Sequence, residues 1–290
     1  MARLRLSTLK LMSAMAIVLV FGLLACGLCP GLASAAQLEA GQANTGADLS
    51  PQASTKAVYV ITSSVETATF GSNVYKNTLK YTYNDNGLVK KLALSGNMDI
   101  DSSSTTTYSY SGTTLKKAIE TTSDETIVTK YTTNKKGQFT KAIQVKDRSN
   151  GGKLTNTYTV KYKSGKLKKI NVKGVFVQDG ESSTTKNAYS YAYKNGRVVS
   201  RTADGYESTY EYDKKGNLNK ITGATRTNKY NSKNQVTKTT LSAPAAGYKY
   251  TKTFKYKAIK VDASAVDKVL AQQWAIVNAN MNFAFGVEGV

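Results

Sequence analysis

Residues 210–220 read YEYDKKGNLNK, and this stretch decides the fold because its pattern recurs along the chain. Two aromatic residues with one residue between them precede a short polar turn that contains glycine, and an apolar residue and a lysine follow the turn. Further copies are YTYNDNGLVKK at 81–91, VKYKSGKLKK at 160–169 and YAYKNGRVVS at 191–200. A short unit repeated in this way is typical of an array of similar hairpins rather than of one compact enzyme.

Tight turns divide the region rich in tyrosine and threonine into strands. One series of turns has a residue suited to positive φ at Gly87, Gly112, Gly137, Gly165, Gly196, Gly216 and Asn234. A second series lies between them. We therefore expect an all-β fold, an antiparallel hairpin-repeat meander that forms a long curled sheet of about 14 or 15 strands, with one C-terminal α-helix. The pattern leaves open whether the sheet stays open, curls or forms two layers.

A lysine lies two residues after the apolar residue that follows each turn, except in one unit, where Ser200 takes its place. The lysines are Lys91, Lys117, Lys141, Lys169, Lys220 and Lys238. Because side chains alternate along a strand, we expect them on the same face as the apolar residues, in a column near the turn end of the sheet. Such a column can keep a sheet soluble and discourage edge pairing, or it can bind a repeating polyanion.

The unit YEYDKKGNLNKIT at 210–222 resembles the YD repeat, or Rhs repeat, of bacterial surface and toxin-shell proteins. In that family a tyrosine, an aspartate and a turn glycine precede an apolar strand. Residues 81–92 and 229–239 are looser copies, with Asn84 and Asn231 in the aspartate position. The resemblance covers about 200 residues and implies hairpins joined into a long curling sheet.

The N-terminus is typical of a secretory signal peptide, which we assign to residues 1–36. Three basic residues precede the apolar run 11–25. The sequence ASA at 33–35 suits an ordinary signal peptidase, which we favour because the residues after Cys26 are apolar. The alternative is a lipoprotein box, LLAC at 23–26, in which Cys26 would carry the lipid. Both alternatives predict a secreted or cell-surface protein.

Charge and cysteine content limit the partners. The formal net charge is +21, and residues 1–36 contain three basic and no acidic residues, which leaves +18 on the exported chain. For an exported protein, this charge indicates anionic cell-wall polymer, acidic polysaccharide or lipid head groups rather than nucleic acid. Cys26 and Cys29 are the only cysteines and lie within the signal peptide, so we expect no disulfide in the exported domain.

The remaining segments flank the hairpin domain, which we assign to residues 57–261. Residues 37–56 contain no aromatic residue and predict a flexible linker. Within residues 262–290, apolar residues recur every three or four positions and predict an amphipathic helix, capped by the Ser264 hydroxyl, that covers the last strands or the open end of the array. The apolar positions of this helix are Val266, Leu270, Trp274, Val277 and Met281.

Catalysis is not expected. The chain has no histidine and its exported part has no cysteine, which excludes Ser-His and Cys-His nucleophile systems and the usual zinc sites. The densest acidic group lies among many lysines, and we interpret it as charge balance rather than as a general acid and base. Its members are Asp204, Glu207, Glu211 and Asp213. We expect no catalytic, metal or cofactor site.

These observations predict an exported, non-catalytic cell-surface protein that attaches through a basic face to anionic wall polymer or glycan. Two alternatives stay open: a structural spacer or scaffold, and a carrier of an apolar ligand in a concave sheet. Membrane contact is expected only through the signal peptide or a lipid at Cys26. The sequence does not specify an oligomeric state.

Overall fold

The computed structural model describes residues 54–98, 103–135, 138–149, 151–203, 205–214, 216, 218–222 and 224–278. The predicted signal peptide, nearly all of the predicted linker and the apolar tail after Asn278 lie outside the described residues. The strands are β1 (Thr55–Phe70), β2 (Asn73–Tyr83), β3 (Val89–Gly96), β4 (Ser103–Ser111), β5 (Thr114–Thr121), β6 (Glu125–Thr133), β7 (Phe139–Arg148), β8 (Lys153–Lys163), β9 (Lys166–Gln178), β10 (Glu181–Lys194), β11 (Arg197–Ala203), β12 (Tyr206–Tyr212), β13 (Leu218–Ile221), β14 (Ala224–Tyr230), β15 (Val236–Ala243) and β16 (Tyr248–Asp262). The helix α1 spans Val266–Asn278.

The strands form one antiparallel meander that closes on itself. Each strand pairs with its sequence neighbours, and β1 also pairs with β16, so that the sheet is a closed barrel. The predicted all-β hairpin meander with a C-terminal helix is confirmed. The sixteenth strand arises from a turn at Gly71, which separates β1 from β2 and was absent from both predicted series of turns. Closure leaves no free edge along most of the sheet.

An asparagine closes three of the longer repeat turns. In the β2–β3 turn, the Gly87 amide donates to the Asn84 carbonyl at 2.9 Å, and the Leu88 amide donates to the Asn84 side-chain oxygen at 2.9 Å. Asn134 and Asn231 accept amide hydrogen bonds in the same way in their own turns. A short polar side chain at this position therefore supplies a partner for an amide that the turn leaves unpaired.

A β-bulge interrupts the ladder in each of the seven repeat hairpins of the described chain. In the β2–β3 hairpin, Thr82 lies opposite Lys91 and Tyr83 lies opposite Val89, so Lys90 is the extra residue. The same register shift occurs in β4–β5, β6–β7, β8–β9, β10–β11, β12–β13 and β14–β15. Because a bulge adds one residue, side chains that face the interior are here three positions apart, and both Val89 and Leu92 are buried.

The aromatic residues of the repeats face the interior and belong to the core together with aliphatic residues. Tyr81, Tyr108, Tyr131 and Tyr210 are all buried in one continuous apolar cluster. The second aromatic of a repeat also joins hairpins, since the Tyr110 hydroxyl donates to the Val89 carbonyl of the preceding hairpin at 2.8 Å. Each large ring contributes apolar burial, and the hydroxyls of Tyr83 and Tyr256 likewise donate to backbone carbonyls, those of Ile61 and Val236.

A buried ion pair lies at the junction of the first and last strands. Glu66 of β1 is directly opposite Lys252 of β16, and the Lys252 ammonium nitrogen is 2.9 Å from a Glu66 carboxylate oxygen. The side chains are only 1% and 3% exposed. Burial by itself lowers the pKa of Lys252, but the Glu66 carboxylate and neighbouring groups raise it above the usual value for lysine. The pair therefore keeps a charged lysine inside the barrel.

Removing one member of this pair should destabilise the barrel more than removing both. We expect Glu66→Gln to lower the free energy of unfolding by about 3–5 kcal/mol, because it leaves the Lys252 charge buried without a counter-ion. The double variant Glu66→Met with Lys252→Met should lie within about 1–2 kcal/mol of the parent. Urea unfolding measures both. Equal losses in the single and double variants would contradict an uncompensated charge as the cause.

Buried tyrosines should make the barrel sensitive to alkali. Burial raises the pKa of Tyr110 to about 12 and raises the pKa of Tyr83, Tyr131 and Tyr256 as well. A group whose pKa is raised by folding stabilises the folded state fully below its unfolded pKa of about 10, and this contribution is lost as the pH rises through the folded pKa. Burial lowers the pKa of Arg226, so this one group makes the folded state more stable as the pH rises and opposes the effect of the tyrosines.

We therefore expect tyrosinate absorbance to appear together with the loss of near-ultraviolet circular dichroism as the pH rises above about 10. The urea-unfolded chain is the control and should titrate near pH 10 without a cooperative step. Titration of the folded chain along the same curve as the unfolded chain would contradict the burial of these hydroxyls.

Candidate functional site

The six predicted lysines lie on the outer face of the barrel. Our prediction that they share a face with the apolar residues is wrong, because the bulge residue between each pair reverses the alternation. Thus Val89 is buried, Lys90 is the extra residue and Lys91 is exposed. Four of the lysines are exposed and two are half-buried. The exposed ones are Lys91, Lys141, Lys169 and Lys220, and the half-buried ones are Lys117 and Lys238.

The lysines form one oblique row, which we call the lysine row, rather than a straight column. Lys91 lies opposite Thr107 of β4, whereas Lys117 lies opposite Ser109, two residues further along the same strand. The same two-residue step recurs on β6, β8, β10 and β12, and the last step, on β14, is four residues. Tilted strands in a closed barrel impose such a stagger, so the row winds around the outside.

A second lysine lies directly opposite three members of the row. Lys130 faces Lys117, Lys161 faces Lys169, and Lys229 faces Lys238. The three added lysines are all exposed. Like charges directly opposite each other destabilise a sheet, so this arrangement concentrates positive charge beyond what edge protection or packing requires.

The positive charge of the lysine row is lower around β11–β13. Ser200 of β11 occupies the position that lysine has elsewhere, and the Lys220 ammonium is 2.8 Å from a carboxylate oxygen of Glu211. In the same acidic group, Asp213 accepts a hydrogen bond of 2.8 Å from the Tyr230 hydroxyl, and Asp204 lies outside the described residues. The acidic side chains Glu211 and Asp213 thus have a lysine and a tyrosine as their partners.

Helix α1 lies at one end of the barrel and is held by polar side chains that the sequence did not single out. The Gln273 side-chain oxygen accepts the Ile61 amide at 2.7 Å, and the Gln272 side-chain oxygen accepts the Val89 amide at 3.0 Å. Both amides lie at bulges, where the ladder is interrupted. The two glutamines therefore pair backbone groups that the sheet leaves unpaired.

The two ends of α1 are fixed by charged residues. The Asp262 carboxylate accepts the Ser264 amide at 2.7 Å and caps the 3-10 turn Ala263–Ala265 that leads into α1. The Ser264 hydroxyl, to which we assigned the cap, instead donates to Asp262. At the other end, the buried Arg226 guanidinium donates to the Val277 carbonyl at 2.7 Å. Burial lowers the pKa of Arg226 to about 10. Because this pKa is still well above 7, the guanidinium is charged at neutral pH. A cation at a helix C-terminus complements the helix dipole.

The described residues include neither cysteine nor histidine. No group of three acidic, cysteine or histidine side chains there could hold a metal ion, and no described helix has the length and apolar character needed to cross a membrane. Cys26, the candidate lipidation site, lies outside the described residues.

Comparison with known proteins identifies one repeat unit. Residues 193–228 match the family model described as RHS Repeat, and this segment contains the YEYDKKGNLNK unit. The predicted resemblance to YD repeats is thus confirmed for a single unit, which runs from the end of β10 into β14. No curated protein sequence matches the chain.

Two solved structures of porin-like proteins are similar to this chain. The protein from Bacteroides uniformis ATCC 8492 shares 15% sequence identity, and the alignment covers 68% of this chain and 98% of that chain with a TM-score of 0.46. The protein from Bacteroides vulgatus ATCC 8482 shares 10% identity, with the same coverage and a TM-score of 0.35.

Proposed function

We propose that this chain is an exported, non-catalytic attachment module of the bacterial cell surface, which binds anionic cell-wall polymer through the lysine row. The observation that supports this proposal most directly is the outward position of the row. A linear polyanion carries charges at regular intervals, and a row of cations spread over successive hairpins can contact several of them at once. Weak individual contacts then add to a useful overall affinity.

The doubled lysines on β5–β6, β8–β9 and β14–β15 also support a binding role. Like charges directly opposite each other destabilise a sheet, so a purely structural account gives no reason to place these lysines opposite one another. A polymer with closely spaced phosphate or carboxylate groups would neutralise both members of each pair. The net charge of +18 on the chain without residues 1–36 raises the local concentration of such a polymer around the whole barrel.

Removing the row should abolish polymer binding while the barrel stays folded. We expect glutamine at all six positions to weaken retention on isolated Gram-positive cell walls by roughly 100-fold, if each exposed contact contributes about 0.5 kcal/mol. Retention of the chain lacking residues 1–36 should require teichoic acid in the walls and should fall steeply with added salt. The six positions are Lys91, Lys117, Lys141, Lys169, Lys220 and Lys238.

A control variant should carry the same loss of charge at other exposed strand positions that do not belong to the row. Suitable changes to glutamine are at Lys76, Lys80, Arg148, Lys153, Lys173 and Lys249, all of which are exposed. If binding depends on the row, the control should retain most of its affinity. Equal weakening of binding in both variants would mean that affinity depends on the net charge of the barrel and not on the position of the lysines. Retention of the unaltered chain that does not depend on teichoic acid would contradict the polyanion as its ligand, and no retention at low salt would leave the spacer as the better account.

Completing the row should strengthen binding. We expect Ser200→Lys together with Glu211→Gln to increase affinity by about two- to tenfold, because the first change fills the gap and the second releases Lys220 from its ion pair. The same wall-binding assay at fixed salt measures the effect. Matched changes outside the row, Ser242→Lys and Glu181→Gln, alter the charge equally. A gain of the same size in this control would contradict a role for the row's continuity.

A further inference from the structure

A groove of about 400 Å³ opens at the end of the barrel where α1 lies. Residues 56–59 of β1 form one wall, Leu270, Trp274 and Val277 of α1 form another, and Val236 of β15 lies between them. This volume is within the range of small-molecule sites. Trp274 is the only tryptophan of the chain.

The lining of the groove is mainly apolar. Leu270 is 43% exposed, although it belongs to the apolar side of α1. Two of the polar groups that line the groove are already engaged, since the Gln273 oxygen accepts the Ile61 amide and the Tyr256 hydroxyl donates to the Val236 carbonyl at 2.8 Å. The body of an occupant therefore has to be apolar.

The rim of the groove is cationic. Lys56 is part of the lining, and Lys260 lies opposite another lining residue, Ala57, in the β1–β16 ladder. Lys233 lies over the Tyr59 ring and donates to its hydroxyl. The nearby acidic residue of β16, Asp262, is engaged by the amide and hydroxyl of Ser264, which lower its pKa.

An apolar groove with lysines at its rim fits one kind of ligand. We propose that it binds a single-chain anionic amphiphile, a fatty-acid carboxylate, with the acyl chain along α1 and the head group at Lys56 and Lys260. The lining residues Val266 and Val277 are about 16 Å apart along the helix at 1.5 Å per residue, which suits an extended chain of medium length. This site is separate from the lysine row and does not depend on the proposed polymer binding.

Trp274 provides a direct readout, because its emission reports its own surroundings. Dodecanoate, added below its micelle concentration to the chain lacking residues 1–36, should cause a saturable change in tryptophan emission. Leu270→Gln should weaken binding by about tenfold, because it removes apolar contact at an exposed position. Val177→Gln is the matched control, since Val177 is 41% exposed on β9, and it should bind as the parent does.

The contact between the ligand's carboxylate and the two lysines can be tested by changing the charge of either partner. The parent should bind dodecanoate at least about fivefold more tightly than dodecyltrimethylammonium, and Lys56→Gln with Lys260→Gln should remove this preference. The absence of a saturable change with dodecanoate, or an equal affinity in Leu270→Gln, would overturn the proposal. Binding that appears only when the chain ends at Asn278 would assign the groove to residues 279–290. A dimer that Leu270→Gln dissociates would assign it to a second copy.

Discussion

The barrel depends on the pairing of its first and last strands. Without that pairing, the sheet would keep two open edges and its row of tyrosines would lack a closed interior. The Glu66–Lys252 pair lies within this junction and specifies its register. A slip of one residue would turn Glu66 to the outer face, and a slip of two would separate it from Lys252 in a region where an unpaired charge is strongly unfavourable.

The repeated bulge links the core to the outer surface. One extra residue in each repeat hairpin lets two apolar side chains three positions apart face the interior, and the same residue turns the following lysine outward. Bulges at Ile61 and Val89 also leave amides that Gln273 and Gln272 accept, so the helix docks where the ladder is broken. A single backbone irregularity thus supports packing, surface charge and closure of one end of the barrel.

Most of the sequence-based prediction rested on patterns of residues close together in the sequence. Turn residues and the alternation of aromatic side chains predicted the hairpins, their order and the C-terminal helix. The spacing from Val89 to Leu92 already signalled a bulge, but two-residue periodicity led us to place Lys91 on the wrong face. Glu66, Lys252 and Arg226 look like ordinary strand residues, because their partners come from distant parts of the chain that only the closed barrel brings together.

Closure by β1 and β16 also sets the order in which the chain can fold. Each internal hairpin joins residues close in sequence and can form quickly, whereas β1 and β16 lie at opposite ends of the domain. The N-terminal strand β1 is therefore synthesised before its partner β16, and the edge that pairs with β16 is the last to be covered. Until β16 arrives, β1 presents an unpaired edge to any other extended chain, so the interval before closure is when this protein is most exposed to misassembly.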